Sequence, residues 1–151
     1  MGMRTQVNRR GRVEDLERLF PVVEQFYAHF EFAWDAGKKR DLLEGFLQRP
    51  EMGQLWLAEV DGAVVGYALV PFYFALEFDG PVALLDEFFV RPEARGQGVG
   101  SKLLKGVMTG LQSEGIRRVR LEVDERHPEA AELYERLGFS RDGRETWSRA
   151  I

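Results

Sequence analysis

The sequence predicts one mixed α/β domain over residues 1–151, and three observations carry that prediction. The first fifty residues space their apolar side chains three and four apart, as helices do. From Leu55 to Val90 the pattern changes to strand-like apolar runs separated by turn residues. Beyond Val90 amphipathic and alternating stretches take turns, which gives two helices, a β-meander and then β-α-β-α-β.

Taken in order, Arg4 to Asn8 is expected to be a first strand. Val13 to Phe30 places Leu16, Leu19, Phe20, Val23, Phe26, Tyr27 and Phe30 at helical spacing, with Pro21 expected to break or kink the helix near its start. A second helix is expected over Asp35–Gln48, burying Leu42, Leu43, Phe46 and Leu47. Leu55–Val60 and Val64–Phe74 read as strands joined by Asp61-Gly62, a hairpin signal. After the turn Glu77–Pro81, one strand is expected from Val82 to Val90. Gly98–Glu114 reads as a helix with Gly115 placed to end it. Val119, Leu121 and Val123 alternate with Arg118, Arg120 and Glu122, the mark of a half-buried strand. Pro128 suits the first turn of a last helix and Gly138 its end, and Thr146–Ile151 reads as a closing strand.

Composition narrows the function. A net charge of −4, with no basic arm, argues against nucleic acid as a partner. The tight basic cluster Arg117, Arg118 and Arg120 reads as a solvated strand face. With no cysteine, disulfides, thiolate metal ligands and a cysteine nucleophile are excluded, and a cytoplasmic location is expected. His29 and His127 stand far apart with no ligand spacing, so no metal is expected. No apolar run approaches the length of a membrane span.

The most informative segment is Arg95-Gly96-Gln97-Gly98-Val99-Gly100, between an apolar strand and an amphipathic helix. Its glycines permit a tight turn and close approach of a ligand, and a helix starting there aims free N–H groups at an anion. The spacing fits neither a Walker loop nor G-x-G-x-x-G. With Val90-Arg91-Pro92-Glu93-Ala94 before it, the R-x-x-G-x-G string resembles the pyrophosphate motif of the GCN5-related N-acetyltransferases. Ala130-Ala131-Glu132-Leu133-Tyr134-Glu135-Arg136-Leu137-Gly138-Phe139 is similar to that family's last motif, and the two occur in the family's order and spacing. The likeness covers about residues 54 to 140. It implies a central mixed, mostly antiparallel sheet flanked by about four helices, with acetyl-CoA as acyl donor.

The resemblance also implies roles. The backbone from Gly96 through Gln97, Gly98, Val99 and Gly100 to Ser101 would bind pyrophosphate, with Arg91 or Arg95 adding charge. The strand end Phe88-Phe89-Val90 would hold the pantetheine arm, and an N–H at Phe88 or Phe89 would polarise the thioester carbonyl. Tyr134 falls at the family's tyrosine acid, the reading the motif favours over a core tyrosine on the apolar face with Leu133 and Leu137. His127 takes the place of an asparagine common in relatives, either binding the cofactor or capping the helix.

Asp86-Glu87 puts two carboxylates inside an apolar strand, where alternation should send one to each face. Burial raises a carboxylate's pKa towards that of a useful base. Leu85-Asp86-Glu87-Phe88-Phe89-Val90 resembles the corresponding strand of the diamine (spermidine/spermine-type) acetyltransferases, with the acid order inverted, so either residue remains a candidate base. In that group the hairpin matching Glu77-Phe78-Asp79, with Tyr73 and Phe74 before it, borders the acceptor; a solvated hairpin is the plain alternative. Glu24, Glu31 and Trp34 read better as packing or solvent-facing residues.

The expected activity is acetyl transfer to a small cationic primary amine by direct attack, with two alternatives: a protein or peptide acceptor, or a module that binds acyl-CoA without turnover. Dimerisation is common in the fold, and Val70–Phe74 is a candidate homodimer face.

Overall fold

The computed structural model describes residues 4–151. Its strands are β1 (Gln6–Arg10), β2 (Gly53–Val60), β3 (Ala63–Ala75), β4 (Gly80–Leu85), β5 (Glu87–Val90) and β6 (Val119–Leu121). Its helices are α1 (Leu16–His29), α2 (Ala36–Leu47), α3 (Val99–Ser113) and α4 (Ala131–Arg136). The strands form one sheet in the order β1-β2-β3-β4-β6, with β5 also on β3. Every pairing is antiparallel except β4 with β6. This is the mixed, mostly antiparallel sheet with four helices that was expected. Asp61 and Gly62 turn β2 into β3, both with positive φ, as a two-residue hairpin requires.

Strand alternation gives the sheet two apolar faces. Ala58, Ala68, Val70, Ala83 and Leu85 meet Leu103, Leu104, Val107 and Leu111 of α3. Leu55, Leu57, Tyr67 and Phe89 meet Leu19, Val22, Val23 and Phe26 of α1. Pro21 does not break the helix: α1 continues through it from Leu16 to His29. The ring is exposed, so the backbone bond it forgoes lies on the solvent side, while the buried stripe holds the helix in place. Among the described residues no helix is long and apolar enough to cross a membrane.

α3 crosses β2 at Gly110, where an added Cβ would stand 2.3 Å from Cζ2 of Trp56. That indole is fixed by its Nε1–H, which donates to Oε1 of the buried Gln54 at 2.8 Å. Gly110→Ala should therefore destabilise by about 1–2 kcal/mol despite better helix propensity. Gly45→Ala, in open space within α2, should instead add up to about 1 kcal/mol. Urea midpoints moving in opposite directions would bear this out.

β1 is tied to the start of α1 by a buried carboxylate. Asp15 accepts from both terminal nitrogens of Arg9 at 2.9 and 2.6 Å and from the Arg12 N–H at 2.8 Å. These donors pull its pKa down to about 2. A carboxylate depressed on folding contributes stability above its unfolded pKa and loses it as pH falls through the folded value. Stability should fall by on the order of 2 kcal/mol between about pH 5 and 2 through this residue alone. Urea unfolding against pH should show that slope, and Asp15→Asn should flatten it.

Two strand expectations need correction. The run Val82–Val90 is broken at Asp86, so β4 and β5 are separate. Leu69 faces Glu87 while Phe72 faces Ala83, leaving Val70 and Pro71 opposite Leu84, Leu85 and Asp86. The extra residue makes a β-bulge, with the Asp86 N–H bonded to the Leu69 carbonyl at 3.0 Å. Thr146–Ile151, expected as a strand, pairs with nothing among the described residues. Just before it, Asp142 is ion-paired with Arg120 of β6 and Arg144 with Glu77 between β3 and β4.

Candidate active site

The bulge opens a slot in the sheet. β6 follows β4 only as far as Leu121 beside Leu85, and β5 has β3 on one side alone among the described residues. The Arg91 N–H donates to the Val65 carbonyl at 2.8 Å, which sets the alternation along β5. Glu87 and Phe89 therefore bond their backbones to β3, while the backbones of Phe88 and Val90 face the slot. Val90 has its carbonyl engaged by Nε–H of Arg95 at 2.9 Å. Of the two N–H groups expected near the thioester, the one facing the slot is that of Phe88. Across it stands Tyr134, with ring centroids 6.2 Å apart.

At the end of β5 the chain turns through the glycine loop. Gly96 and Gly98 have φ of +77° and +78°, a region that side chains with a Cβ enter at a cost of about 1–2 kcal/mol. The first backbone bond of α3 runs from the Lys102 N–H to the Gly98 carbonyl. The N–H groups of Val99, Gly100 and Ser101 are thus left without helical partners, at the positive end of a fifteen-residue helix. The Val99 side chain is buried, and Gly100 packs against the Phe88 ring. Gln97 is exposed. Arg95 braces the loop from outside, its guanidinium 5.1 Å from the Phe89 ring. This open cradle of N–H groups fits a diphosphate such as that of coenzyme A.

Beside the slot lies a cleft of about 360 Å³ between α1, the bulge, the chain beyond β6 and α4. Asp86 and Glu87 both line it, because the bulge overrides the alternation expected of a regular strand. Their environments differ. Glu87 accepts hydrogen bonds from the hydroxyls of Tyr27 and Tyr67, each at 2.7 Å. Burial pushes its pKa up and the two hydroxyls pull it back. Asp86 has no such donors among the described residues, and loss of solvation by the surrounding protein raises its pKa. Burial also raises the Tyr134 phenol, to about 12, so it holds its proton at neutral pH.

The remaining expectations fall on both sides. His127 stands at the N-cap of the short turn Pro128–Ala130 without a side-chain cap hydrogen bond; its ring packs 4.7 Å from Phe30 and 5.1 Å from His29, and it lines the cleft. The hairpin Glu77–Asp79 is not part of the cleft: Arg144 holds Glu77, Arg118 lies over Phe78 at 4.4 Å, and Arg120 donates to the Tyr73 hydroxyl. Trp34 packs against Phe20 and Tyr27, as expected of a packing residue. Sequence reasoning missed Tyr27 and Tyr67 as partners of Glu87, and missed Glu122 and Asp124 in the cleft. The signal for the tyrosines was a carboxylate in an apolar strand, which demands buried donors.

A family model described as Acetyltransferase (GNAT) family matches residues 14–139. A mycothiol acetyltransferase of Thermobispora bispora is 39% identical over 87 residues, 57% of this chain and 30% of that protein. A thialysine N-epsilon-acetyltransferase of Bos taurus is 39% identical over 75 residues, 50% of this chain and 44% of that protein. These matches span less than half the length of either relative. Among solved structures, an integron cassette protein from the mobile metagenome of Cole Harbour salt marsh superposes with a TM-score of 0.85. It is 29% identical, and the match covers 95% of this chain and 90% of that one.

Proposed function

The chain belongs to the Acetyltransferase (GNAT) family, and from that premise we propose that it is an N-acetyltransferase taking the acetyl group of acetyl-CoA to a small cationic primary amine. The observation that carries the acceptor class is the cleft itself. Asp86 and Glu122 bring carboxylates to it without an ion-pair partner among the described residues, while Asp124 is paired with Arg126. Tyr27, Phe30 and Phe32 supply aromatic faces. Carboxylates and ring faces together favour a cation over a neutral or anionic acceptor.

Acetyl-CoA supplies the activated acyl group; the other tasks fall to the chain. The amides of Val99, Gly100 and Ser101 bind diphosphate. The Phe88 N–H donates to the carbonyl oxygen on which charge develops. Asp86 accepts a proton from the ammonium; the freed amine bonds the acyl carbon as the C–S bond breaks, and the Tyr134 hydroxyl gives a proton to the departing thiolate and regains one from the nitrogen of the new amide. Glu87, held by two tyrosines, keeps negative charge in the wall without taking the proton.

Thiol release from acetyl-CoA, measured against polyamines, lysine analogues, aminoglycosides, amino acids and short peptides, tests this reading. Turnover should concentrate on small cationic amines. Turnover on peptides alone would replace the acceptor class, and acetyl-CoA binding with no turnover on any of them would leave a binding module.

A further inference from the structure

We propose that Glu31 and His29 are positioning residues for the acceptor: with Arg126 and His127 they latch the two walls of the cleft together and so set its width. The backbone of Glu31 has a φ of +57°, in the left-handed region. Among the described residues other than glycine, Asp61 and Asp79 alone share that sign, and a short acid tolerates the conformation better than glutamate does. The turn is of a kind that ordinarily takes glycine here. The Phe32 N–H donates to the Tyr27 carbonyl at 2.9 Å and the Glu31 N–H to the Ala28 carbonyl at 3.2 Å. The Phe32 and Tyr27 rings meet with centroids 5.9 Å apart. This is the paired-bond helix end with its apolar contact, and glycine at Glu31 would leave it unstrained.

Nothing within the turn offsets that strain. The Glu31 side chain is exposed and makes no hydrogen bond or ion pair among the described residues. Strain kept beside a site points to a role there, and the role lies across the cleft. On the opposite wall Asp124 accepts from the Arg126 backbone N–H at 2.9 Å and from its guanidinium at 3.0 Å. The Asp124 carboxylate raises the pKa of that guanidinium, and the Glu31 charge adds to the rise from the other wall. Beside these opposite charges the walls already touch. The His29 and Phe30 rings lie 5.1 and 4.7 Å from that of His127, and Phe30 stacks on Phe32 at 5.6 Å. Phe30, Phe32 and His127 all line the cleft, so the contact brings ring faces from both walls to one acceptor. An exposed charge pair contributes little by itself. The rings therefore carry the latch, and the Glu31 charge biases it shut. What the latch positions rests on the acceptor reading above; the latch itself does not.

Trypsin reads the latch without the reaction, because cleavage after Arg126 follows the population in which that wall swings free. Nicking there, measured by mass spectrometry against nicking after Arg141, should rise about 2–10-fold in His29→Ala, the range of one aromatic contact. In Glu31→Gly it should rise about 2–5-fold, the range of one exposed charge pair. Yet Glu31→Gly should melt about 2–4 °C higher, because glycine relieves the strain. Glu31→Gln keeps the strain and loses the charge, so it should nick as Glu31→Gly does and melt no higher than the natural chain. A residue serving only its own turn predicts a firmer fold with slower nicking in Glu31→Gly. That result, or unchanged nicking in both Glu31→Gly and His29→Ala, would overturn the latch. In turnover, these two variants should raise KM for the amine by the same factors, with kcat and KM for acetyl-CoA unchanged. Faster nicking with a natural KM for the amine would overturn the positioning role. If no amine turned over and the nicking contrast still appeared, the acceptor reading would fall and the latch would stand.

Discussion

Asp86→Asn should lower kcat by about 10²–10⁴-fold while leaving acetyl-CoA binding in place. Asparagine keeps the size and the cleft position but takes no proton. The natural enzyme's kcat/KM for the amine should rise with pH through a value above the ordinary carboxylate range, the direction in which the surrounding protein moves Asp86. That limb should vanish in the variant. Glu87→Gln should behave differently. Its amide turns an N–H towards one of the two tyrosine hydroxyls, so the loss should be mainly in stability, about 1–3 kcal/mol, with the pH limb retained. If Asp86→Asn kept most of the natural kcat and Glu87→Gln abolished the limb, the two roles would have to be exchanged.

Tyr134→Phe should cost about 10²-fold or more in kcat with little change in KM for acetyl-CoA. The ring's contacts with Phe88 and Phe139 survive the substitution. The hydroxyl makes no hydrogen bond to a protein group among the described residues, so its loss should leave the fold's stability unchanged. With the phenol pushed up to about 12, activity should show no descending limb from this residue between pH 7 and the alkaline limit of the assay. A tyrosine serving only the core predicts the reverse: unchanged kcat in Tyr134→Phe, measured in single turnovers so that product release does not mask the chemical step.

What was legible in the sequence was whatever depended on neighbours along the chain. The spacing of Leu19, Val23 and Phe26 fixed the buried face of α1, and Asp61-Gly62 marked a hairpin with the required positive φ. Gly96 and Gly98 stand in the left-handed conformation that the loop motif requires. What was not legible depended on partners across the fold. The bulge at Asp86 depends on its register against β3, where its N–H bonds the Leu69 carbonyl, a pairing that the sequence of residues 82–90 cannot reveal. His29 and His127 are far apart in the chain, yet their rings pack 5.1 Å apart beside the cleft that His127 lines. Pro21 lost its power to break a helix because five buried residues of α1 outweigh one missing bond on the solvent side.

The carboxylate of Glu87 joins three elements at once: β5 carries it, and α1 and β3 each lend it a hydroxyl. The acceptor wall and the fold's rigidity therefore draw on the same two bonds. Remodelling the cleft at Tyr27 would loosen α1 along with the pocket, whereas Phe32, 44% exposed at the edge of that cluster, makes neither of the two bonds to Glu87. Changes of acceptor in this lineage should accumulate at the rim, where selectivity can drift at little cost to stability, and should avoid the tyrosines, where each gain in room is a step towards unfolding.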